Sequence, residues 1–271
     1  MEHSVGVGKA IIMGLVQALT EFLPVSSSGH LVIAKSLLKI GEVGITLEIV
    51  THFATVLAVV IYLRKRVAGI LRAVYLRIAR GRPAMSESQR KDFGTFVLII
   101  LGSVPAAVLG LAFKDFLEGL FDDLVGTGVT LAVTGVFLLL TSRRARERAS
   151  LRLPQALLVG VAQAIAIIPG ISRSGLTVGT GLALGVPKRE VFEFSLLLSI
   201  PAILGATAVE ALSGGLGGDA VAIAASGVTA LVGGYAAIAL LFRAVLRNKF
   251  HVFGYYLIPV GILVAVLAST H

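Results

Sequence analysis

Apolar runs about as long as a bilayer is thick fill most of this chain. A helix needs about 20 predominantly apolar residues to cross the hydrocarbon core. Segments 45–63, 93–113, 124–142, 190–212, 220–242 and 251–270 satisfy that length and predict six transmembrane helices. Two further apolar stretches are broken. Residues 5–23 are apolar up to Glu21, stop at Pro24 and are followed by a short piece, 27–40. Residues 153–169 stop at Pro169, and 174–185 is again too short to cross. Proline removes a helix donor, and the residue before it avoids helical geometry. Each broken stretch therefore reads as a re-entrant pair of half-helices.

The polar connections set the orientation. Residues 64–92 are rich in Lys and Arg against Glu87 and Asp92, and residues 143–152 hold five Arg against Glu147. Arg243, Arg247 and Lys249 add a third basic connection, whereas 114–123 carries Asp115, Glu118, Asp122 and Asp123 against Lys114. Basic loops stay cytoplasmic. Six spans fit this pattern only if the stretch 5–40 enters and leaves from outside and 153–187 from the cytoplasm, with both termini outside.

An internal repeat agrees with those opposite senses. Gly14-Leu-Val-Gln17-Ala18 returns as Gly160-Val-Ala-Gln163-Ala164, and at the same offset Ser26-x-Ser28-Gly29 returns as Ser172-x-Ser174-Gly175. Leu47-Glu48-Ile49 is echoed by Phe192-Glu193-Phe194. The expectation is an all-α integral membrane protein: six transmembrane helices plus two re-entrant helix pairs, arranged as an inverted-topology repeat in a single domain over 1–271. Repeat one covers about 5–113 and repeat two about 153–242; such repeats place sites near the midplane where broken helices meet.

Composition narrows the class. The chain is 56% hydrophobic and 14% charged, with mean hydropathy +0.94, which excludes an ordinary soluble globule. The net charge of +9 does not read as nucleic-acid binding, because the basic residues flank apolar spans. Glu2, Lys9 and the lack of an Arg-rich start argue against a cleavable signal peptide. The absence of Cys rules out disulfides and thiolate metal sites.

The chemistry concentrates at the breaks. Gln17 and Glu21 share one helix face, as do Ser27 and His30 if a helix starts after Pro24. The Ser runs supply capping hydroxyls, and helix N-termini bind phosphate. Where the first repeat has Ser27 the second has Arg173, and where the first has Glu21 the second has Ile167, so one composite site is expected. Arg173 lies too far from either end to snorkel and matches phosphate bidentately. His30 can exchange a proton, a Ser beside it can be activated as a nucleophile, and a carboxylate can orient the His or hold a divalent cation. His52 reads as a satisfied buried histidine, Glu48 and Glu193 as helix caps or bridges, and Gly214–Gly218 as an outer turn.

At these residues the sequence resembles the undecaprenyl-diphosphate phosphatase (bacitracin-resistance protein) family. The first family motif is matched by Gln17-Ala-Leu-Thr-Glu21 and Phe22-Leu-Pro-Val-Ser-Ser-Ser-Gly-His30, the second by Pro169 to Thr177, and Phe194-Ser-Leu-Leu-Leu-Ser-Ile-Pro201 also matches. The resemblance implies hydrolysis of a polyprenyl diphosphate to the monophosphate at the outer face of the plasma membrane, recycling a carrier for cell-wall polymers. It also implies Mg²⁺ or Ca²⁺, with Glu21 as the candidate ligand. Glu21, Ser27, His30 and Arg173 become catalytic candidates, and Gln17, Ser26, Ser28, Ser172, Ser174 and Thr177 phosphate-pocket candidates. Some members have Glu where this chain has Gln17. The expected partners are the polyprenyl diphosphate lipid and the membrane, with a second copy of the chain as a further candidate and no nucleic acid. The alternatives are a secondary transporter or lipid flippase of inverted-repeat type, or a bare binding scaffold.

Overall fold

The computed structural model describes residues 5–38, 40, 44–80, 85–141, 147, 150–213 and 217–270. Among them every regular element is helical: α1 (Val7–Phe22), α2 (Ser27–Leu38), α3 (Gly44–Tyr62), α4 (Arg64–Arg80), α5 (Glu87–Ala112), α6 (Lys114–Gly119), α7 (Leu124–Leu140), α8 (Leu153–Ile165), α9 (Arg173–Ala183), α10 (Lys188–Ser213), α11 (Ala220–Leu246) and α12 (Val252–Ser269).

Helix ends follow local chemistry. Leu23, held extended by the proline after it, ends α1 at φ −61°, ψ 145°. A reciprocal capping box between Ser86 and Gln89 starts α5. Asp123 caps α7 by accepting the Gly126 N–H at 2.8 Å, and Asp219 caps α11 through the Val221 N–H at 2.8 Å.

Four helices, α5, α10, α11 and α12, are long and apolar enough to cross a membrane, and a fifth span results if α3 and α4 are taken as one bent pair. The expected span at 124–142 is the apolar but shorter α7, of 17 residues. Apolar side chains stay on the outside of these helices: Val104, Val108 and Leu111 on α5, and Ile262, Leu263 and Val266 on α12, are exposed. Such faces suit lipid, not water.

The connections differ from the sequence expectation. Residues 64–80 of the expected basic loop form α4, turned 85° from α3, because Ile70 and Ala73 fall at helical spacing and are buried. The basic stretch at 243–249 is partly helix, since α11 runs on to Leu246, and the acidic 114–123 contains α6. Most of the Arg-rich stretch 143–152, and Gly214 to Leu216 of the expected Gly turn, lie outside the described residues.

Small residues let the backbones meet. Helix α1 packs on α11 and α8 on α5. A Cβ added at Gly14 would stand 2.5 Å from the Ser226 carbonyl oxygen, and one at Gly160 would fall on the carbonyl oxygen of Gly102. Helices α7 and α12 close in the same way: a Cβ at Gly261 would sit 2.5 Å from Gly128 O, and one at Gly254 2.5 Å from Gly135 O. Helices α3 and α10 pack together, with Phe22, Phe192, Leu198, Ile238 and Leu241 fully buried around them.

Candidate active site

The two helix breaks meet at the middle of the bundle. Ser174 Oγ donates to the Leu23 carbonyl at 3.1 Å, so the start of α9 is stitched to the end of α1. A Cβ added at Gly29 would lie 3.4 Å from Gly170 Cα, and one at Gly175 3.5 Å from Pro24 Cβ. Helix α7 pins the second break: Thr130 Oγ1 donates to Pro169 O at 2.5 Å and Thr134 Oγ1 to Gly170 O at 3.3 Å. Gly170 has φ +82°, and a Cβ there would run into Thr130 Oγ1. Only glycine meets both demands.

The starts of α2 and α9 are built alike. Ser26 Oγ accepts the Gly29 N–H at 3.3 Å and lies 3.1 Å from Ser28 Oγ. Ser172 Oγ accepts the Gly175 N–H at 3.1 Å and lies 3.3 Å from Ser174 Oγ. These four serines, all candidates from the sequence, thus order the two helix starts. They differ in one respect: Ser26 has φ +71°, a left-handed conformation that costs a non-glycine residue about 1–2 kcal/mol.

Ser27 and Arg173 occupy the same first position in the two half-helices. Both reach one carboxylate. Arg173 Nη2 donates to Glu21 Oε1 at 2.6 Å, and Ser27 Oγ donates to Glu21 Oε2 at 2.6 Å. Gln17 Nε2 adds a third hydrogen bond to Oε2 at 3.1 Å, while Gln17 Oε1 is buried without a partner. The side chains of Glu21 and Arg173 are only 5% and 15% exposed, so the pair is removed from bulk water, yet Ser27 is only half-buried.

His30 makes other contacts. Its Nδ1 is 2.8 Å from the Ser26 carbonyl oxygen, which can only accept, so Nδ1 carries the proton. Its Nε2 is 2.8 Å from the Tyr256 hydroxyl, and the two rings stack with centroids 5.8 Å apart. Helical spacing places Ser27 and His30 on one face; the structure gives the Ser27 hydroxyl to Glu21 instead. Thr177 is fully buried and its hydroxyl is used by Arg173 O at 2.8 Å and Ser195 Oγ at 2.6 Å.

Two site neighbours escaped the sequence reading. Tyr256 is one aromatic on an apolar helix at the far end of the chain and gives no periodic signal. His52, by sequence a satisfied buried histidine, has its Nε2 4.0 Å from Glu21 Oε2 while Nδ1 bonds the Glu48 carbonyl at 2.9 Å. Glu48 pairs with Lys35 and so joins α3 to α2, whereas Glu193 pairs at 3.0 Å with Arg189 one turn earlier on its own helix α10 and bridges no other.

A carboxylate holding a hydroxyl and a guanidinium, beside two helix N-termini, is suited to phosphoryl transfer. Among the described residues no three His, Asp or Glu side chains gather as a protein cage for a metal. Glu21 with the unpartnered oxygen of Gln17 fits a cation that takes its remaining ligands from a phosphate.

Comparison with known proteins bears on the same residues. The chain is 36% identical to the undecaprenyl-diphosphatase of Desulforapulum autotrophicum over 277 residues, covering 96% of this chain and 98% of that protein. It is 39% identical to the protein of that name from Halothermothrix orenii, at 96% and 98% coverage, and 39% identical to the one from Thermobifida fusca, at 96% and 90%. The profile of the bacitracin resistance protein BacA family matches residues 10–263, which include both helix breaks and the Glu21, Ser27 and Arg173 cluster, and the chain belongs to that family.

Proposed function

We propose that this chain removes the terminal phosphate of undecaprenyl diphosphate, releasing the monophosphate and inorganic phosphate. The observation that carries the reading is the single carboxylate of Glu21, which holds the Ser27 hydroxyl and the Arg173 guanidinium at 2.6 Å each. The relatives' names supply the substrate.

In this reading the diphosphate takes Arg173 from Glu21 and lies across the N-termini of α2 and α9, whose N–H groups and dipoles favour an anion. Ser27 Oγ attacks the terminal phosphorus and its proton passes to Glu21 Oε2. The bond from phosphorus to the bridging oxygen breaks, and the lipid monophosphate departs with the proton that Glu21 passes to that oxygen. Arg173 neutralises the charge spread over the transferring phosphoryl oxygens. A water then attacks the phosphoserine phosphorus and gives a proton to Glu21, the bond from phosphorus to Ser27 Oγ breaks, inorganic phosphate leaves, and Glu21 returns the proton to Ser27 Oγ. His30 is a second proton carrier. Its Nε2, the ring nitrogen not committed to a backbone carbonyl, accepts from the Tyr256 hydroxyl and donates to a phosphate oxygen only once it has taken up a proton and turned from that partner. Glu21 and Gln17 Oε1 are the residues that would hold a Mg²⁺ or Ca²⁺, which would supply further charge neutralisation.

The same reading makes α3, α5, α7, α10, α11 and α12 six spans, with α1–α2 and α8–α9 as re-entrant pairs of opposite sense. The equivalent packing of α1 on α11 and α8 on α5, the equivalent glycines 14 and 160 and the matching serine caps support an inverted repeat. The loop charges favour α4 on the cytoplasmic side, and the family resemblance implies a site that opens toward the outer face of the plasma membrane. A transporter or flippase has no use for a hydroxyl held on a carboxylate.

The test is phosphate release by detergent-purified protein from a panel of prenyl diphosphates, with and without EDTA. Release from the long-chain substrate is expected, reduced by EDTA. Binding of the lipid without any phosphate release would overturn the reading in favour of transport.

A further inference from the structure

Helix α4 has no role in the site just described, yet its surface is unusual. It leaves α3 at 85°, the angle of a helix that turns from a span onto the plane of a membrane. It carries Arg64, Lys65, Arg66, Arg72, Arg77 and Arg80 and no acidic residue.

One side of α4 is fixed to the protein. Ile70 and Ala73 are buried, Arg66 pairs with Asp92 of α5 and donates to Thr95 Oγ1 at 2.9 Å, and the Arg77 guanidinium lies 5.8 Å from the centre of the Phe93 ring. The other side is free. Leu71, Tyr75 and Ile78 recur at helical spacing and are 63%, 65% and 81% exposed. Arg64, Lys65 and Arg72 beside them are exposed and have no ion-pair partner among the described residues.

An apolar stripe alone would fit any apolar partner. The right-angle exit from a span and the one-sided charge select one occupant. We infer that α4 is a binding surface for anionic phospholipid: Leu71, Tyr75 and Ile78 enter the boundary between headgroups and acyl chains, and Arg64, Lys65 and Arg72 hold headgroup phosphates. The inference rests on the membrane placement proposed above.

The chain contains no Trp, so Tyr75→Trp provides a single fluorophore on the exposed stripe. This variant is reconstituted in phosphatidylcholine vesicles containing brominated phosphatidylglycerol or, at equal mole fraction, brominated phosphatidylcholine. A parallel variant, Leu263→Trp on the exposed face of α12, reports the spans. Stronger quenching at position 75 by the anionic lipid is expected, with a preference of about fivefold for each cation near the headgroups. Raised ionic strength and the double variant K65Q/R72Q should each shrink that preference. Equal quenching by the two lipids at position 75, or a preference unchanged by salt, overturns the anionic-lipid surface. Quenching at 263 with none at 75 shows that α4 avoids the membrane and also overturns it, leaving the spans intact. No quenching at either position defeats the membrane placement itself.

Discussion

Replacing Glu21 by Gln isolates the chemical role of the carboxylate. The side chain keeps its length but has one acceptor oxygen where two donors, Ser27 Oγ and Arg173 Nη2, each now have their own at 2.6 Å. One of them loses its partner, and the base that holds the Ser27 hydroxyl is gone. Loss of a general base lowers rate by about 10²–10⁴-fold, or about 3–5 kcal/mol of barrier. Binding should move the other way. In the free protein Arg173 is tied to a carboxylate that the diphosphate must displace, and a hydrogen bond to a charged group is worth about 1.5–3 kcal/mol. Glu21→Gln is therefore expected to lose kcat while KM falls or stays level. The assay is steady-state phosphate release from detergent-purified protein, with substrate titrated through KM. A kcat within about threefold of the parent, well short of a general-base loss, would show that the Ser27 proton goes elsewhere. A large rise in KM with kcat retained would recast Glu21 as a substrate- or cation-binding group.

Three further outcomes follow from the geometry. Tyr256→Phe removes the hydroxyl at His30 Nε2 but keeps the ring stack, so kcat should fall by about fivefold, the worth of one neutral hydrogen bond of about 1 kcal/mol, with KM little changed; unchanged kcat would remove Tyr256 from the site. Gly160→Leu forces α8 off the backbone of α5 at Gly102 and should lower the thermal midpoint in detergent, overpacking typically costing about 1–3 kcal/mol, whereas Gly110→Ala makes only an ordinary contact of 3.6 Å with Ile167 and should leave it unmoved. Single cysteines placed at Ser86 and Asp219 in this cysteine-free chain should label from opposite sides of the membrane, and labelling of both from one side contradicts the six-span topology.

Much of this architecture is written in local sequence. Pro24 and Pro169 mark the breaks because proline acts on its own neighbours, and the serines after them become caps for the same reason. Most helices coincide with apolar runs to within a few residues. Helix α4 reads as a loop because its six cations give it a loop's average polarity, although Val67, Ile70, Leu71, Val74 and Ile78 recur at helical spacing and mark an apolar side. The partners of Ser27 were misjudged for a different reason. Spacing within α2 favours His30, but Glu21 lies beyond the proline, where the relation between α1 and α2 depends on the chain's reversal and not on helical period. The strained φ of Ser26 and the Tyr256 contact lie wholly in tertiary structure. The repeat helped most: equivalent positions of Ser27 and Arg173 foretold that both would reach one site.

The most direct measurement of the central claim is a rapid-quench experiment with substrate labelled in the terminal phosphate. The account predicts an acid-stable phosphoserine at Ser27 that forms and decays within a turnover and is absent from Ser27→Ala. An acid-labile, base-stable adduct at His30, or the lack of any adduct with Ser27→Ala keeping more than about a tenth of the activity, which is less than an essential group normally costs, would contradict it.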